Sequence, residues 1–173
     1  MPVTALLVLP APGTAPALAL PADAVARSLD VLTGSPAVSA VRRVTAGAEL
    51  GQALQAAPVD GVLLLSPAWL APTADAVDAV LSALGGDPGV AAAVAVGPVT
   101  DSLKLVGPDD VLGPAADRDR FVAPAGPAAY RRALLPPDLA GPQGAGTLGD
   151  PEALPAALLA LGARVLAVPV APR

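Results

Sequence analysis

The chain has no cysteine and no histidine among its 173 residues, and lysine occurs once, at Lys104. The first two absences exclude disulfides, thiolate chemistry, imidazole acid–base catalysis and the usual zinc sites. Any catalysis must therefore use carboxylates, hydroxyls, arginine or that one lysine, and no bound metal is expected. Aromatic residues are almost as scarce: Trp69, Phe121 and Tyr130 are single representatives of their kinds. Stacking platforms for single-stranded bases are not to be expected from so few rings. Positive charge is sparse and scattered, for the net charge is −5 and the basic residues cluster only at Arg42-Arg43 and Arg131-Arg132. Without a basic stripe to neutralise a phosphate backbone, nucleic acid is not an expected partner. Residues 1–22 carry no charged side chain, yet Pro2, Pro10, Pro12, Pro16 and Pro21 interrupt them and no basic segment opens them. That pattern fits neither a signal peptide nor a spanning helix, so a soluble cytoplasmic protein with no membrane partner is expected.

What remains is a chain rich in Ala, Val and Leu, 54% hydrophobic. At this length one domain, spanning 1–173, buries about 70% of its unfolded surface. Thr4 to Leu9, Gly61 to Leu65 and Val90 to Val96 are short apolar runs bounded by turn residues, the pattern of strands buried on both faces. Ala37 to Val44 and Arg164 to Val168 read as further strands. Helical spacing from Asp23 through Val25, Leu29 and Leu32 ends at Gly34-Ser35-Pro36. Short helices are expected over Glu49 to Ala57, 127–135 and 151–161. Another starts at Thr73, a good N-cap, and stops at Gly85-Gly86. Strands alternating with helices imply an α/β fold: three layers around a mostly parallel, doubly wound sheet with right-handed crossovers. Ligands in such sheets bind beyond the carboxyl ends of the strands, here the loops at 10–16, 66–72 and 97–104. Residues 101–124 break the alternation and read as a short protruding β-arm.

The residues around that break carry a resemblance. Val99-Thr100-Asp101-Ser102-Leu103-Lys104, Ala116-Asp117-Arg118 and Gly126-Pro127-Ala128-Ala129-Tyr130-Arg131 resemble three segments of the 2-C-methyl-D-erythritol 4-phosphate cytidylyltransferase family. These are its Pro-Val-x-Asp-Thr-x-Lys, Val-Asp-Arg and Thr-Pro-Gln-x-Phe segments. The resemblance implies a nucleotide-diphospho-sugar transferase-like fold, an arm exchanged with a partner subunit, and hence a homodimer. It also implies a sugar-phosphate subsite at Asp101, Ser102, Lys104 and Arg118. Lys104 would offer a compact charge and Arg118 a bidentate fork, a sensible pair for one phosphate.

Elsewhere the chain departs from the family. Its nucleotide loop, Ala-Ala-Gly-x-Gly-x-Arg-Met, is replaced by Ala11-Pro12-Gly13-Thr14-Ala15-Pro16-Ala17-Leu18. Ala11, Gly13 and Thr14 are the nucleotide-loop candidates, although Pro12 and Pro16 each remove a backbone donor and a structural turn is the favoured reading. The family's magnesium-holding Asp in His-Asp-Ala-Ala-Arg-Pro falls at Ser66, and its Arg at Trp69. Its closing Asn-Ile-Lys-x-Thr segment has no counterpart before Pro172-Arg173, and its lysine is expected to be missing. Nucleotidyl transfer depends on cations and magnesium stabilising charge on phosphate oxygens. Losing several such groups leads to the expectation of a non-catalytic binding or regulatory module without a cofactor. Two alternatives stand beside it. One is a divergent transferase that makes a CDP-linked sugar alcohol from CTP and a sugar phosphate, with magnesium. The other is a scaffold whose contact surface is Trp69 and the apolar rim. Asp109-Asp110 reads as a solvated turn, and Arg131-Arg132 as a helix surface.

Overall fold

The computed structural model describes residues 1–10, 20–106, 110–137 and 153–171. Its centre is a six-stranded sheet. The strands in chain order are β1 (Val3–Leu9), β2 (Ala40–Thr45), β3 (Val62–Pro67), β4 (Ala92–Pro98), β7 (Val122–Arg131) and β8 (Val165–Pro169), and β5 (Lys104–Val106) with β6 (Leu112–Ala115) makes a separate antiparallel pair. In space the large sheet runs β2-β1-β3-β7-β4-β8, with β7 antiparallel to both neighbours and the other pairings parallel. The three apolar runs become β1, β3 and β4, the most buried strands, as expected for sequences that do not alternate.

Helices cover both faces. On one, Leu50 and Leu54 of α2 (Ala48–Ala56) and Leu154 and Leu158 of α4 (Ala153–Ala160) pack on Leu6, Val8, Leu63, Leu65, Val94, Ala128 and Tyr130. On the other, Leu32 of α1 (Ala22–Gly34) and Val77, Val80 and Leu84 of α3 (Ala74–Gly85) pack on Ala5, Leu7, Leu64, Ala93, Ala95 and Ala129. Adjacent strand residues thus feed opposite cores, the consequence of a two-residue side-chain period. The three-layer, mostly parallel α/β architecture read from the sequence is the one observed.

Local chemistry fixes the helix ends. Thr73 caps α3 as expected, its hydroxyl oxygen accepting the Ala76 amide at 3.2 Å, and Gly86 closes the other end by donating to the Ser82 carbonyl. Gly47 enters α2 at φ 97°, a left-handed conformation that suits glycine. The Glu49 carboxylate then turns back to accept the Thr45 amide at 2.8 Å. That bond, with the cationic Arg42 a smaller contributor, holds the Glu49 carboxyl below its usual range.

One element differs from expectation. Residues 127–135 do not form a helix: Pro127 to Arg131 complete β7, and Arg132–Leu134 is a single 3₁₀ turn. The reason is tertiary. Ala128, Ala129 and Tyr130 are paired on both sides, with Leu63 to Leu65 of β3 and with Ala92 to Val94 of β4. These small residues lie flat between two covered faces, a long-range gain that overrides alanine's helix propensity. The two prolines are tolerated because they lie where the ladder is incomplete. Between the pairs Val94–Ala128 and Val96–Pro124, β4 contributes one residue, Ala95, and β7 three, Ala125 to Pro127. This bulge frees Pro127 from ladder duty. It also brings the backbones close, so that a methyl group at Gly126 would sit 3.3 Å from that of Ala95.

The paired arginines are accordingly not on a helix surface. Arg131 reaches the end of α3, where Nη2 donates to the carbonyls of Leu84 at 2.7 Å and Asp87 at 3.2 Å, while Nε donates to that of Val90 at 3.3 Å. Arg132 Nε donates at 2.8 Å to the carbonyl of Leu54, near the end of α2. Two consecutive residues therefore satisfy terminal carbonyls of two helices on opposite faces of the sheet. Asp87 is itself held by the Gly89 amide and by Arg164 at 2.7 Å, which together lower its pKa.

Candidate functional site

The carboxyl ends of β1, β3 and β4 define one rim of the sheet, where the expected ligand loops begin. The loop candidates Ala11, Gly13 and Thr14 lie outside the described residues, as does Asp109 of the acidic turn. Asp110 is described, exposed and in a left-handed conformation with φ 57°, which Asp adopts more readily than most residues.

At the end of β3, Ser66 does not open onto the rim. It lies inside the strand, fully buried, opposite Leu7 of β1 and on the face shared with Leu64. Its hydroxyl has no hydrogen-bond partner among the described residues. The chain turns immediately afterwards, with the Ala68 amide donating to the Val8 carbonyl and the Leu70 amide to that of Pro67. This turn sets Trp69 at the rim, 38% exposed, so that the ring is neither a core filler nor fully solvated.

The segment after β4 gathers the other candidates. Asp101 and Ser102 are exposed on the bend leaving the strand, and Lys104 opens β5 opposite Ala115 of β6. The Ala116 amide donates to the Leu103 carbonyl at 3.0 Å, and Arg118 Nη1 donates to the Thr100 carbonyl at 3.1 Å. Asp117 shapes the turn that carries Arg118 by accepting the Asp119 amide. The two stretches containing Asp101, Ser102, Lys104 and Arg118 are thus neighbours through backbone and side-chain bonds, although 18 residues separate Thr100 from Arg118. Exposed charges of this kind act weakly in water, and their strength for an anion depends on convergence rather than burial. Residues 101–124 also expose apolar side chains: Val106 and Val111 are each 63% accessible, Val122 57% and Phe121 45%.

A feature the sequence reading missed sits beside this rim. Beside the β7 bulge lies a narrow, partly open apolar cleft with room for about one water molecule. Its lining comes from the end of β3 and the turn after it (Leu65, Pro67, Leu70), from Val94, from Pro124, Gly126, Ala128 and Tyr130 of β7, and from Pro155 of α4. Tyr130 is fully buried, its hydroxyl has no hydrogen-bond partner among the described residues, and burial pushes its pKa far above the usual range. The available signal was the pair Pro124 and Pro127 in a segment ending Ala-Ala-Tyr-Arg, which marks a bulged strand rather than a helix.

A sheet of this order, with one antiparallel strand among parallel neighbours and a small accessory hairpin, defines the nucleotide-diphospho-sugar transferase-like class of fold. Within it, the chain is similar to a 4-diphosphocytidyl-2C-methyl-D-erythritol synthase from Anaerococcus prevotii DSM 20548, with a TM-score of 0.69 and 12% identity over 97% of this chain and 86% of that one. A 2-C-methyl-D-erythritol 4-phosphate cytidylyltransferase from Francisella tularensis gives 0.65 and 12%, covering 97% and 91%. A CMP:2-keto-3-deoxy-manno-octonic acid synthetase, solved with CTP, gives 0.60 and 13%, covering 99% and 91%. The likeness that residues 99–132 suggested therefore extends, as fold, along nearly the whole chain. No protein-family model and no curated protein sequence matches it. No helix among the described residues is long and apolar enough to cross a membrane.

Proposed function

We infer that this chain is a degenerate relative of the isoprenoid-pathway cytidylyltransferases that has lost CTP-dependent nucleotidyl transfer and acts in the cytoplasm as a binding or regulatory module. The observation that carries this reading is Ser66. The resemblance puts a magnesium-holding carboxylate at that position, and this chain has a neutral hydroxyl there, turned into the core between β1 and the helices behind it. Magnesium takes oxygen ligands in near-octahedral geometry and favours carboxylates and phosphates. A single buried serine does not fit it, so no step of transfer through the metal is derived for this protein. With Trp69 in the place of the family's arginine, the rim lacks groups that would stabilise charge on a triphosphate.

What the chain keeps is the other half of the site. Asp101, Ser102, Lys104 and Arg118 form an exposed polar cluster suited to a single phosphate on a sugar alcohol. The exposed apolar side chains of the arm, Val106, Val111, Phe121 and Val122, suit a homodimer formed through it. A thermal-shift titration separates the readings, using CTP, CTP with magnesium, and methylerythritol phosphate against the wild type and Lys104→Ala. A ligand that binds the native state alone stabilises it by about 2.7 kcal/mol at a hundredfold excess over Kd. The expected result is a shift with the sugar phosphate alone, lost in Lys104→Ala. A shift with CTP and magnesium would restore the divergent transferase, and no shift with any ligand would favour the scaffold.

A further inference from the structure

The two edges of the large sheet are finished differently. β2, at one edge, carries Arg42 and Arg43, both exposed. Charges on an edge strand hinder pairing with another chain, and natural sheets use them for that purpose. β8, at the other edge, pairs only with β4 among the described residues and has no charged side chain from Val165 to Ala171. The Arg164 carbonyl accepts the Ala91 and Ala92 amides, and the Val170 amide donates to the Val96 carbonyl. Backbone groups alternate sides along a strand, so residues 164, 166, 168 and 170 face β4, and Val165, Ala167 and Pro169 turn theirs outward. Ala167 and Pro169 are exposed and Val165 is half-buried. On the face that Val165 shares with α4, the helix leaves Leu159 58% exposed, and the turn from it into β8 leaves Leu161 62% exposed.

We propose that β8 is an interface with a second copy of this chain, the two strands pairing antiparallel about a two-fold axis so that the large sheets join edge to edge. The outward row of backbone groups is self-complementary in that arrangement. With Ala167 opposite Ala167 of the second copy, the two exchange amide and carbonyl bonds, and each Val165 amide donates to the opposite Pro169 carbonyl. The amide that Pro169 lacks then falls at the ends of the ladder, where proline does least harm. A contact of this kind closes on itself and needs no foreign strand. The charge next to β8 along the chain is Arg164, held by Asp87 and away from the axis at Ala167, so the two copies set no like charges opposite each other. None of these residues belongs to the arm or to the polar cluster, so the interface stands or falls independently of the arm dimer and of the sugar-phosphate reading.

The chain lacks cysteine, which makes the test direct. Residues opposite one another in a hydrogen-bonded antiparallel pair have Cα atoms about 5.5 Å apart, within the span that a disulfide bridges. Ala167→Cys in the full chain is therefore expected to give a disulfide-linked dimer on mild oxidation, reversed by reductant. Ala40→Cys, exposed on the β2 edge, is the control for random collision and is expected to run as a monomer on a denaturing gel after the same treatment. Ala167→Lys sets two ammonium groups opposite each other and is expected to halve the mass seen in sedimentation, whether or not the arm also dimerises, with the circular dichroism spectrum unchanged. Absence of a cross-link in Ala167→Cys would overturn the proposal. So would cross-linking no greater than that of Ala40→Cys, or a sedimenting mass that Ala167→Lys does not lower.

Discussion

The two ends of β7 use the same strand in opposite ways. At its carboxyl end Arg131 and Arg132 leave the sheet and bind the terminal carbonyls of α3 and α2, so that each guanidinium is engaged by backbone. At its amino end the strand bulges around two prolines, loses register with β4 and borders an apolar cleft. The comparison teaches where this chain places its few cations. Arg131, Arg132 and Arg164 are committed to holding the fold together at the end of the sheet away from the ligand rim. The other described cations, Arg27, Arg42, Arg43, Lys104, Arg118 and Arg120, are exposed. Three of the chain's few cations are thus turned toward structure.

The sharpest way to break this comparison is to remove the structural arginines. Arg131→Ala strands the carbonyls of Leu84, Asp87 and Val90 together, and should cost about 3 kcal/mol or more in urea unfolding, because bonds to a charged donor are worth about 1.5–3 kcal/mol each. Arg132→Ala removes one such bond and should cost about 1.5–3 kcal/mol, less than Arg131→Ala. Equal effects of the two would contradict the count of carbonyls each one holds.

A smaller effect should appear with acid. The Glu49 and Asp87 carboxyls sit below their usual values of 4.5 and 3.8 because each accepts a backbone amide. Their stabilisation is present above those values and is lost as pH falls through the lowered ones. Urea midpoints should therefore fall below about pH 4, and the double variant Glu49→Gln, Asp87→Asn should show a flatter profile there. Glu49 is exposed and Asp87 half-exposed, so the change should be modest and should shrink in high salt. An unchanged profile would remove these two contacts from the account. The smallest effect is expected at the other end of β7. Tyr130→Phe deletes a buried hydroxyl that has no partner among the described residues and should leave stability equal or slightly raised. A loss of more than about 1 kcal/mol would mean that the hydroxyl has a partner in solution.

The sequence spoke clearly where one residue's chemistry decides the outcome locally. β1, β3 and β4 are unbroken apolar runs, Thr73 is followed three residues later by the amide it accepts, and Gly85-Gly86 can only end a helix. The arm segment was legible because Thr100 to Lys104 and Ala116 to Arg118 keep recognisable residue types. β7 was not legible, since Pro-Ala-Ala-Tyr-Arg-Arg-Ala-Leu has helical composition and becomes a strand only through neighbours 34 or more residues away. The arginine caps were hidden for the same reason, because Leu84 lies 47 residues from Arg131 and Leu54 lies 78 from Arg132. The cleft depends on a register shift between two strands, a property of their pairing that neither sequence carries alone. Ser66 was found as a position, but β3 runs two residues past Leu65, to Pro67, and keeps Ser66 inside the strand.

The most direct test of the central claim is a turnover assay: the full chain incubated with CTP, magnesium and methylerythritol phosphate, with pyrophosphate release followed over hours. The account predicts no release above the protein-free control, at enzyme concentrations where the sugar phosphate alone still raises the melting temperature. Release that scales with protein concentration and disappears in Lys104→Ala would contradict it, and would show that the rim performs the transfer without a carboxylate at position 66.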